Sequence, residues 1–449
     1  MKTYAVSFFL LIVAISTAQQ NQTHFKSEID FGNGTVFSTF LDVTIKKSNF
    51  TITSPKNADV RMFGGKARLG RLLGKSPKKG IIITINGTKI KDSLFGEAKI
   101  PVFGKLKFKG IAKNNFIKGM FIKDDNDIGS VNGLVSNETS NNYQNLYQKI
   151  IDTIQKNIYS KKVINTKEWQ TFQKEIQNLC NTAHDDIEMF LGFNMLAKKL
   201  PFTHLTFIIT QAENETEVVI SNEEKTVIFE EKNKNTAYLL IKSFSNSKEE
   251  IAEIFPKIVA NDNYKYLIID LRSNGGGGLD PAFEFAKYIT PKDIEVGYFV
   301  TNKLQYIGFN NTLFNSLPIL QPKNNIEFTK DLKKSSGLKM VFKKPENPVF
   351  KGCIYVLTNG RTGSTCEPIV YTLKNNKIAT IVGEKTYGGM LAACPFVISG
   401  KYSLMLPIAD FYTYDGVRLD RVGVTPDVEV KSDDALIKAL ELINANEKQ

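Results

Sequence analysis

A serine stands where an apolar, strand-forming run gives way to an apolar, helix-forming run. Ser364 lies in the small-residue segment 359–367 (NGRTGSTCE), between residues 354–358 and residues 368–373. At a strand-to-helix turn a serine exposes its hydroxyl at the sheet edge, and the helix N-terminus can stabilise negative charge there. A serine at that point can also act only as an N-cap. Position alone leaves both roles open.

A run of four glycines, residues 275–278, also follows an apolar strand and precedes a helix. Consecutive glycines let backbone N–H groups approach a ligand closely, which suits an anion or an oxyanion. The Lys-Ser/Thr ending of a P-loop and the spaced glycines of a dinucleotide-binding loop are both missing. On its own, the run is also compatible with a flexible turn.

The chain has three histidines. Each is a candidate proton acceptor because imidazole has a pKa of about 6.5. His24 lies among short alternating strands, His184 lies in an acidic helical context, and His204 directly follows a hydroxyl residue, Thr203. A lone histidine can also be purely structural, so residue type does not choose among the three.

Strands and helices alternate from about residue 236 onwards, with apolar strand-forming runs at 236–241, 266–270 and 354–358. This order predicts an α/β core, residues 206–449, whose strands lead into a site at their C-terminal ends. Residues 291–348 interrupt the pattern, and we expect them to form an irregular insertion that covers the site.

Residues 143–205 are predicted to be a helical part of the same region, because apolar residues recur there at helical spacing. Residues 19–142 show short apolar alternations around Asn-Gly pairs, at 33–34 and 86–87. Such pairs are the strongest local sign of hairpins. We therefore expect an antiparallel all-β domain, a small sandwich or barrel, with a binding or structural role rather than a catalytic one.

The first 18 residues, 1–18, have the features of a secretory signal peptide. Lys2 precedes an apolar run at 5–15, and Ser16 and Ala18 are small. An uncleaved anchor is the alternative, although the run is shorter than the roughly 20 residues that a spanning helix needs. We expect an exported product, periplasmic or secreted.

Four cysteines are too few for a fold built on disulfides. In an exported chain Cys366 and Cys394 could pair. Free buried thiols, which pack as small apolar side chains, are as compatible with the sequence.

The net charge of +12 is concentrated at the N-terminal side. Residues 21–142 contain 20 Lys and Arg against 10 Asp and Glu, whereas residues 143–449 contain 37 against 36. A basic face could attract an acidic glycan, a membrane surface or an acidic protein, and it could also be plain solvated surface. No nucleic-acid partner is expected after export.

Four motifs occur in one order, and together they resemble the C-terminal processing peptidase family, which includes tail-specific proteases, the tricorn core and interphotoreceptor retinoid-binding protein. The motifs are residues 270–276 (DLRSNGG), 364–367 (STCE), 382–389 (VGEKTYGG) and 423–427 (GVTPD). The resemblance covers roughly residues 143–430. It implies a crotonase-like (ClpP/crotonase) α/β spiral catalytic core with a helical N-terminal subdomain.

Two branches of the family differ in the catalytic base. In the lysine branch a lysine occupies the position of Gly389, so the resemblance does not support a Ser-Lys pair. Lys385, four residues earlier, remains the alternative base. The tricorn-like branch uses a histidine preceded by a hydroxyl residue, and residues 201–205 (PFTHL) match that pattern. The resemblance therefore implies His204 as general base.

The resemblance also implies the roles of three other side chains. Ser364 corresponds to the nucleophile, and Thr203 is the hydroxyl that orients His204. An acidic residue just before the last motif supports that hydroxyl, and Asp420 stands where the family usually has Glu. Asp is one methylene shorter, so this contact needs an altered backbone or a water molecule.

The remaining site residues concern the oxyanion and the nucleophile loop. The expected oxyanion donors are the backbone N–H groups of Gly276 and Thr365. Glu367 either orders the nucleophile loop or is an ordinary acid in the first helical turn. No metal or organic cofactor is expected to take part.

These features predict an exported serine endopeptidase that acts on peptides or unfolded proteins. A catalytically silent ligand-binding or protein-binding member of the family is the alternative, as is an esterase-type acyl hydrolase. The family often carries a peptide-binding PDZ module, for which residues 206–264 are too few.

Overall fold

The computed structural model describes residues 22–32, 35–54, 82–100, 104–210 and 225–447. These residues divide into two compact units. The first contains the described residues up to Asn141 together with Ala183–Glu188, and the second contains Asn142–Thr182 and the chain from Met189 onwards. The predicted signal peptide and the Asn33-Gly34 turn lie outside the described residues.

The strands described in the first unit form a closed antiparallel barrel. They are β1 (Gln22–Asp30), β2 (Val36–Lys46), β3 (Asn49–Thr53), β4 (Thr84–Ile90), β5 (Ser93–Ile100), β6 (Gly104–Ala112), β7 (Phe116–Lys123) and β8 (Asn126–Val135). Neighbouring strands pair in chain order, and β1 closes the barrel against β8. The predicted antiparallel all-β domain is confirmed, and of the two forms expected it is the barrel.

Strict alternation of side chains along each strand explains both the core and the basic surface of the barrel. In β6, Leu106 and Phe108 are buried, whereas Lys105, Lys107 and Lys109 are exposed. Successive side chains of a strand point to opposite faces, so one strand supplies the core and the charge together.

The segment Ala183–Glu188 belongs to the first unit although it lies far along the chain. Asp185 is buried there, and it accepts hydrogen bonds from Thr39 Oγ1 of β2 and from Glu188 N–H. Burial raises the pKa of Asp185 to about 7. The barrel thus includes a buried acid supplied by residues outside its strands.

The α-helices described outside the barrel strands are α1 (Gln144–Asn157), α2 (Lys167–Thr182), α3 (Asp186–Ala197), α4 (Lys248–Val259), α5 (Leu279–Ala286), α6 (Asn311–Asn315), α7 (Asn325–Lys334), α8 (Cys366–Asn375) and α9 (Ala435–Glu447). None of the helices in the described ranges is both long and apolar enough to cross a membrane.

A six-stranded sheet lies at the centre of the second unit, in the order β10 (Val227–Asn233), β11 (Thr236–Ile241), β12 (Tyr266–Asp270), β15 (Cys353–Thr358), β16 (Ala379–Gly383) and β19 (Val428–Glu429). All its pairs are parallel except that of β10 with β11. The adjacent strands β12, β15 and β16 therefore end at the same edge, where the glycine run, the serine turn and the third motif begin.

A second, antiparallel sheet has the order β14 (Gly337–Phe342), β13 (Ile294–Thr301), β18 (Tyr402–Thr413) and β17 (Leu391–Ser399), with β9 (Thr206–Ile209) paired to β18. Residues 291–348, expected to be irregular, instead supply β13 and β14 of this sheet together with α6 and α7. The residues of β13 are almost entirely buried, so its run of apolar side chains shows no period-two alternation that would mark it as a strand.

Candidate active site

Ser364 sits at a sharp turn between β15 and α8. Its backbone is left-handed, with φ of 54°, an unusual conformation for a residue with a side chain. The N-cap of α8 is Thr365 rather than Ser364, and no side chain of the described residues caps this helix. Ser364 is therefore not the N-cap of α8. Its hydroxyl remains available beside the N-terminus of this helix.

Gly276 shows why the loop after β12 is made of glycine. It has φ of 101°, and a Cβ added to it would lie 2.6 Å from Ser364 Cβ and 2.9 Å from Thr365 N. Any side chain there would displace the serine turn. Asn274 ties the two loops together, because its carbonyl accepts a hydrogen bond from Gly363 N–H at 3.0 Å.

The hydroxyl of Thr203 joins His204 to Asp420. Thr203 Oγ1 lies 2.7 Å from His204 Nδ1 and donates to Asp420 Oδ1 at 2.5 Å. A hydroxyl has one proton, so a Thr203 that donates to the carboxylate accepts from Nδ1–H. This arrangement leaves Nε2 of His204 unprotonated and able to accept a proton. The shorter Asp side chain reaches Thr203 directly.

The charge state of His204 follows from its surroundings. Burial lowers the pKa of His204 below its usual value, and the negative charge of Asp420 opposes that shift. A buried imidazole therefore stays neutral to lower pH than a free one, as a general base requires. The backbone of His204 is also left-handed, with φ of 65°.

Glu367 is buried and binds both the serine turn and the loop after β16. Oε1 accepts from Thr386 Oγ1 and Gly388 N–H at 2.6 and 2.7 Å, and Oε2 accepts from Gly389 N–H and Ser364 N–H at 2.7 and 3.2 Å. Burial raises the pKa of Glu367, and these four donors oppose the rise. The contacts agree with a role in ordering the nucleophile loop.

The two expected oxyanion donors differ in availability. Thr365 N–H donates to no described residue, whereas Gly276 N–H already donates to Asn274 Oδ1 at 2.9 Å. The next residue, Gly277, has a backbone N–H without a hydrogen-bond partner among the described residues, and it lines a cavity that also contains Ser364.

The position of Gly389 bears on the choice of base. A Cβ added to Gly389 would lie 3.8 Å from His204 Cε1, so the imidazole occupies the space beside the position where the lysine branch has its base. Lys385 is exposed and lines neither of the two cavities beside Ser364. These placements agree with the choice of His204, made from the sequence.

Ser364 and His204 both line two cavities, of about 390 and 300 Å³. No hydrogen bond joins the two side chains in the described structure, as is common for catalytic pairs without substrate. A scissile bond placed against Ser364 would be within the same space as His204.

The model of peptidase family S41 matches residues 235–430. This part of the chain belongs to peptidase family S41. The resemblance to C-terminal processing peptidases, inferred from four motifs, is confirmed, and a serine-type peptidase is the class of enzyme that the family indicates.

Two relatives of the S41 region are carboxyl-terminal processing enzymes. The chain is 24% identical over 190 residues to carboxyl-terminal-processing peptidase 2 of Arabidopsis thaliana chloroplasts, and 27% identical over 190 residues to the carboxy-terminal-processing protease of Bartonella bacilliformis. Each match covers 42% of this chain and 31% or 36% of the relative. The chain thus spans about a third of the length of these relatives.

Two similar solved structures are the photosystem II D1 C-terminal processing protease and the tricorn protease. The first is 14% identical with a TM-score of 0.41, covering 65% of this chain and 94% of that one. The second is 13% identical with a TM-score of 0.42, covering 88% of this chain and 45% of that one.

The S41 match includes Ser364, Glu367 and Asp420 but begins after Thr203 and His204. The base and its hydroxyl partner are thus joined to the S41 residues only by the geometry of the site. Their proposed roles depend on the hydrogen bonds of Thr203 rather than on the family match.

Sequence reasoning missed the residues that hold Asp420 in place. Arg418 donates to buried Asp410 at 2.7 Å and to Tyr159 OH at 2.8 Å, and one of its Nη atoms lies 3.5 Å from Asp420. Arg421 donates to the carbonyl oxygens of Leu200 and Phe202, just before Thr203. Asp410 and Arg418 flank a short turn, and no S41 motif pointed to them.

Proposed function

We propose that this chain is a serine peptidase in which Ser364 attacks a peptide carbonyl and His204 acts as the general base. The observation that carries the proposal is the pair of contacts made by Thr203 Oγ1, to His204 Nδ1 and to Asp420. These contacts fix the tautomer in which Nε2 is free to take a proton, and a nucleophilic serine needs such a base.

The first step is the transfer of the Ser364 proton to Nε2 of His204 as Oγ bonds to the carbonyl carbon. The imidazolium that forms is stabilised through Thr203 by the charge of Asp420. His204 then returns the proton to the leaving amine, and water repeats the sequence on the acyl-enzyme. These steps use only side chains and N–H groups of this chain.

The oxyanion is bound by Thr365 N–H and by an N–H of the glycine run. Gly277 is the better second donor, since Phe244 N–H donates to Gly276 O and Gly278 N–H donates to Phe244 O. In a parallel bridge of this kind the N–H of Gly277 faces away from Phe244. That is the side on which its carbonyl accepts from Thr365 Oγ1 at 2.9 Å.

The wider proposal is an exported endopeptidase with a crotonase-like spiral core. Parallel strands with loops gathered at one edge support the proposed core, and residues 1–18 support export by their composition. The substrates proposed are unstructured peptides and unfolded proteins, because an extended chain is needed to reach a serine in a groove.

Labelling with a fluorophosphonate probe and hydrolysis of casein test the proposal. Wild type should react with both, and Ser364→Ala should lose both while keeping its circular dichroism spectrum. The matched control is Ser273→Ala, since Ser273 also has a left-handed backbone and is exposed in the neighbouring loop. Casein hydrolysis by folded Ser364→Ala would refute the assignment. Labelling without any peptide hydrolysis would favour an esterase. The absence of both labelling and hydrolysis would favour a silent binding protein.

A further inference from the structure

Arg361 differs from the other arginines in the described part of the chain. Arg272 donates to Asp270, Arg418 donates to Asp410, and Arg421 donates to two backbone carbonyls. Arg361 is exposed, and its guanidinium has no hydrogen-bond or ion-pair partner among the described residues. A guanidinium without a partner is a ready donor pair for a carboxylate.

Arg361 lies beside the proposed nucleophile, where its unpaired guanidinium can bind a group of the substrate. It lines the cavity of about 300 Å³ together with Ser364, His204 and Tyr387, and none of the described acidic side chains lines that cavity. Its backbone is held close to the nucleophile, because Arg361 N–H donates to Asn359 Oδ1 at 3.0 Å. An anionic group bound there would lie within a few residues of the bond that Ser364 attacks.

The larger cavity beside Ser364 has the opposite character. Most of its lining is apolar, including Leu279, Phe299, Phe328, Met390, Leu391 and Met405. Helix α7 forms part of this wall, and its Ile326 is exposed despite being apolar. Among the described residues, no Asp, Glu, Lys or Arg side chain lines this cavity, so a buried charge would find no ion-pair partner in it.

Of the described residues that line the two cavities, Ser364 and His204 are the two that they share. They therefore meet at the place where the scissile bond must lie. An extended substrate crossing that point has residues of its chain in both.

We propose that the preferred substrate has an apolar side chain on one side of the scissile bond and a carboxylate bound by Arg361 on the other. This inference rests on the proposed peptidase function and adds the substrate class. The carboxylate has two possible sources, an Asp or Glu side chain or the free C-terminus of the peptide. Both present the same two oxygens to the guanidinium.

The test uses the full-length protein and internally quenched peptides. Mass spectrometry of a casein digest first locates the cleaved bonds, and one cleaved sequence with a leucine beside the bond becomes the parent peptide. Three amidated versions carry Glu, Gln or Lys on the other side of the bond. A fourth version carries Gln and a free C-terminal carboxylate two residues from the bond.

The measured quantity is kcat/KM for each peptide with wild type, Arg361→Gln and Arg361→Glu. We expect wild type to favour one carboxylate peptide over the amidated Gln peptide by about tenfold, the size of a charge-assisted hydrogen bond. That ratio should fall towards one in Arg361→Gln, and Arg361→Glu should favour the Lys peptide. Lys385→Gln is the matched control, because it removes one exposed positive charge that lines neither cavity.

Each outcome bears on the inference. A preference for Glu that Arg361→Gln abolishes identifies a side-chain carboxylate, and a preference for the free acid that Arg361→Gln abolishes identifies the C-terminus. Equal rates for all four peptides, or a carboxylate preference that Arg361→Gln retains, would overturn it. In those cases hydrolysis would still depend on Ser364, whereas failure of the proposed function itself would appear as no Ser364-dependent hydrolysis at all.

Discussion

The barrel strands and the S41 region place their charged groups in opposite ways. On the barrel strands, lysines such as Lys107, which pairs with Asp125 of the β7–β8 turn, lie at the surface, and a buried acid of the first unit, Asp185, is supplied from outside the strands. In the S41 region, Asp410, Glu367 and Asp420 are buried, and each accepts hydrogen bonds from more than one donor.

This difference separates charge that serves solubility from charge that serves a site. Taking a carboxylate out of water costs several kcal/mol, so a fold keeps one inside only where other groups satisfy it. Surface pairs need no such support and contribute little to stability. Buried acids that are bonded to the nucleophile loop or to the base, as Glu367 is to Ser364 N–H and Asp420 is to His204 through Thr203, therefore mark the candidate site.

The largest expected effect comes from replacing His204, which is joined to Asp420 through Thr203, and comparing it with His24, which contacts Asp42 directly. His204→Ala should lower kcat/KM by at least about 10³-fold, because the nucleophile and base act as a unit. His24→Ala is the matched control: His24 lies 2.6 Å from Asp42 in the barrel, partly exposed, and its loss should leave peptide hydrolysis unchanged. Comparable losses in both variants would remove the distinction between the two regions.

Glu367→Gln should lower the free energy of unfolding by more than the loss of an exposed ion pair of the barrel does. An amide offers one oxygen where the carboxylate offers two, so two of the four donors lose their acceptor, at about 2 to 4 kcal/mol in total. Urea unfolding followed by fluorescence of Trp169, which lies in the second unit, would measure this change. Lys107→Ala, which removes an exposed pair, serves as the control and should leave the urea midpoint in place. An unchanged midpoint for Glu367→Gln would mean that its contacts contribute nothing net.

The relay through Thr203 predicts a smaller, more selective effect. Thr203→Val removes the acceptor of Nδ1–H, and kcat/KM should fall about 10- to 100-fold, the value of one hydrogen bond to a charged group. Thr203→Ser keeps the hydroxyl and should retain most of the rate. Equal activity of the Val and Ser variants would show that the tautomer of His204 is set by another contact.

The pH dependence of the reaction should show the smallest change, a shift along the pH axis. The neutral form of His204 is the active one, so activity is present above the pKa of His204 and is lost as the pH falls through it. Since burial lowers that pKa, the acid limb of kcat/KM should lie below pH 6.5. Asp420→Asn removes the charge that opposes the shift, so its limb should move to still lower pH. A limb at alkaline pH would point to Lys385 instead.

The barrel and the site loops could be predicted from sequence because their signals are local. Alternating apolar residues specify the barrel strands, and the four motifs specify loops at the ends of strands. The hairpin turn predicted at Asn86-Gly87 was wrong, because both residues lie inside β4 and pair with β3 and β5. Ser364, Thr203 and Asp420 were named from such signals, and the structure brings Thr203 to both His204 and Asp420. The contact does not need the longer Glu side chain at position 420, because Asp420 itself reaches Thr203.

The features that sequence could not supply depend on contacts between distant residues. Arg418 reaches Tyr159, which is 259 residues away in sequence, only because the segments that follow β18 and α1 meet in the second unit, and no sequence pattern predicts that contact. The hydrogen bond from Gly276 N–H to Asn274 Oδ1 depends on the geometry of the loop, which the sequence does not show. All four cysteines are free, three of them buried and Cys353 exposed, and Cys366 and Cys394 pack as apolar side chains in the same hydrophobic core without pairing.

The place of Ala183–Glu188 in the first unit has a consequence for how the protein is made. The barrel strands leave the ribosome first, but the acid that Thr39 binds follows only after the roughly 40 residues of Asn142–Thr182. At about 5 to 20 residues per second, that interval lasts about 2 to 8 s. During those seconds the nascent barrel lacks its last segment. A chaperone that recognises incompletely folded surfaces can bind the barrel in that interval and not afterwards.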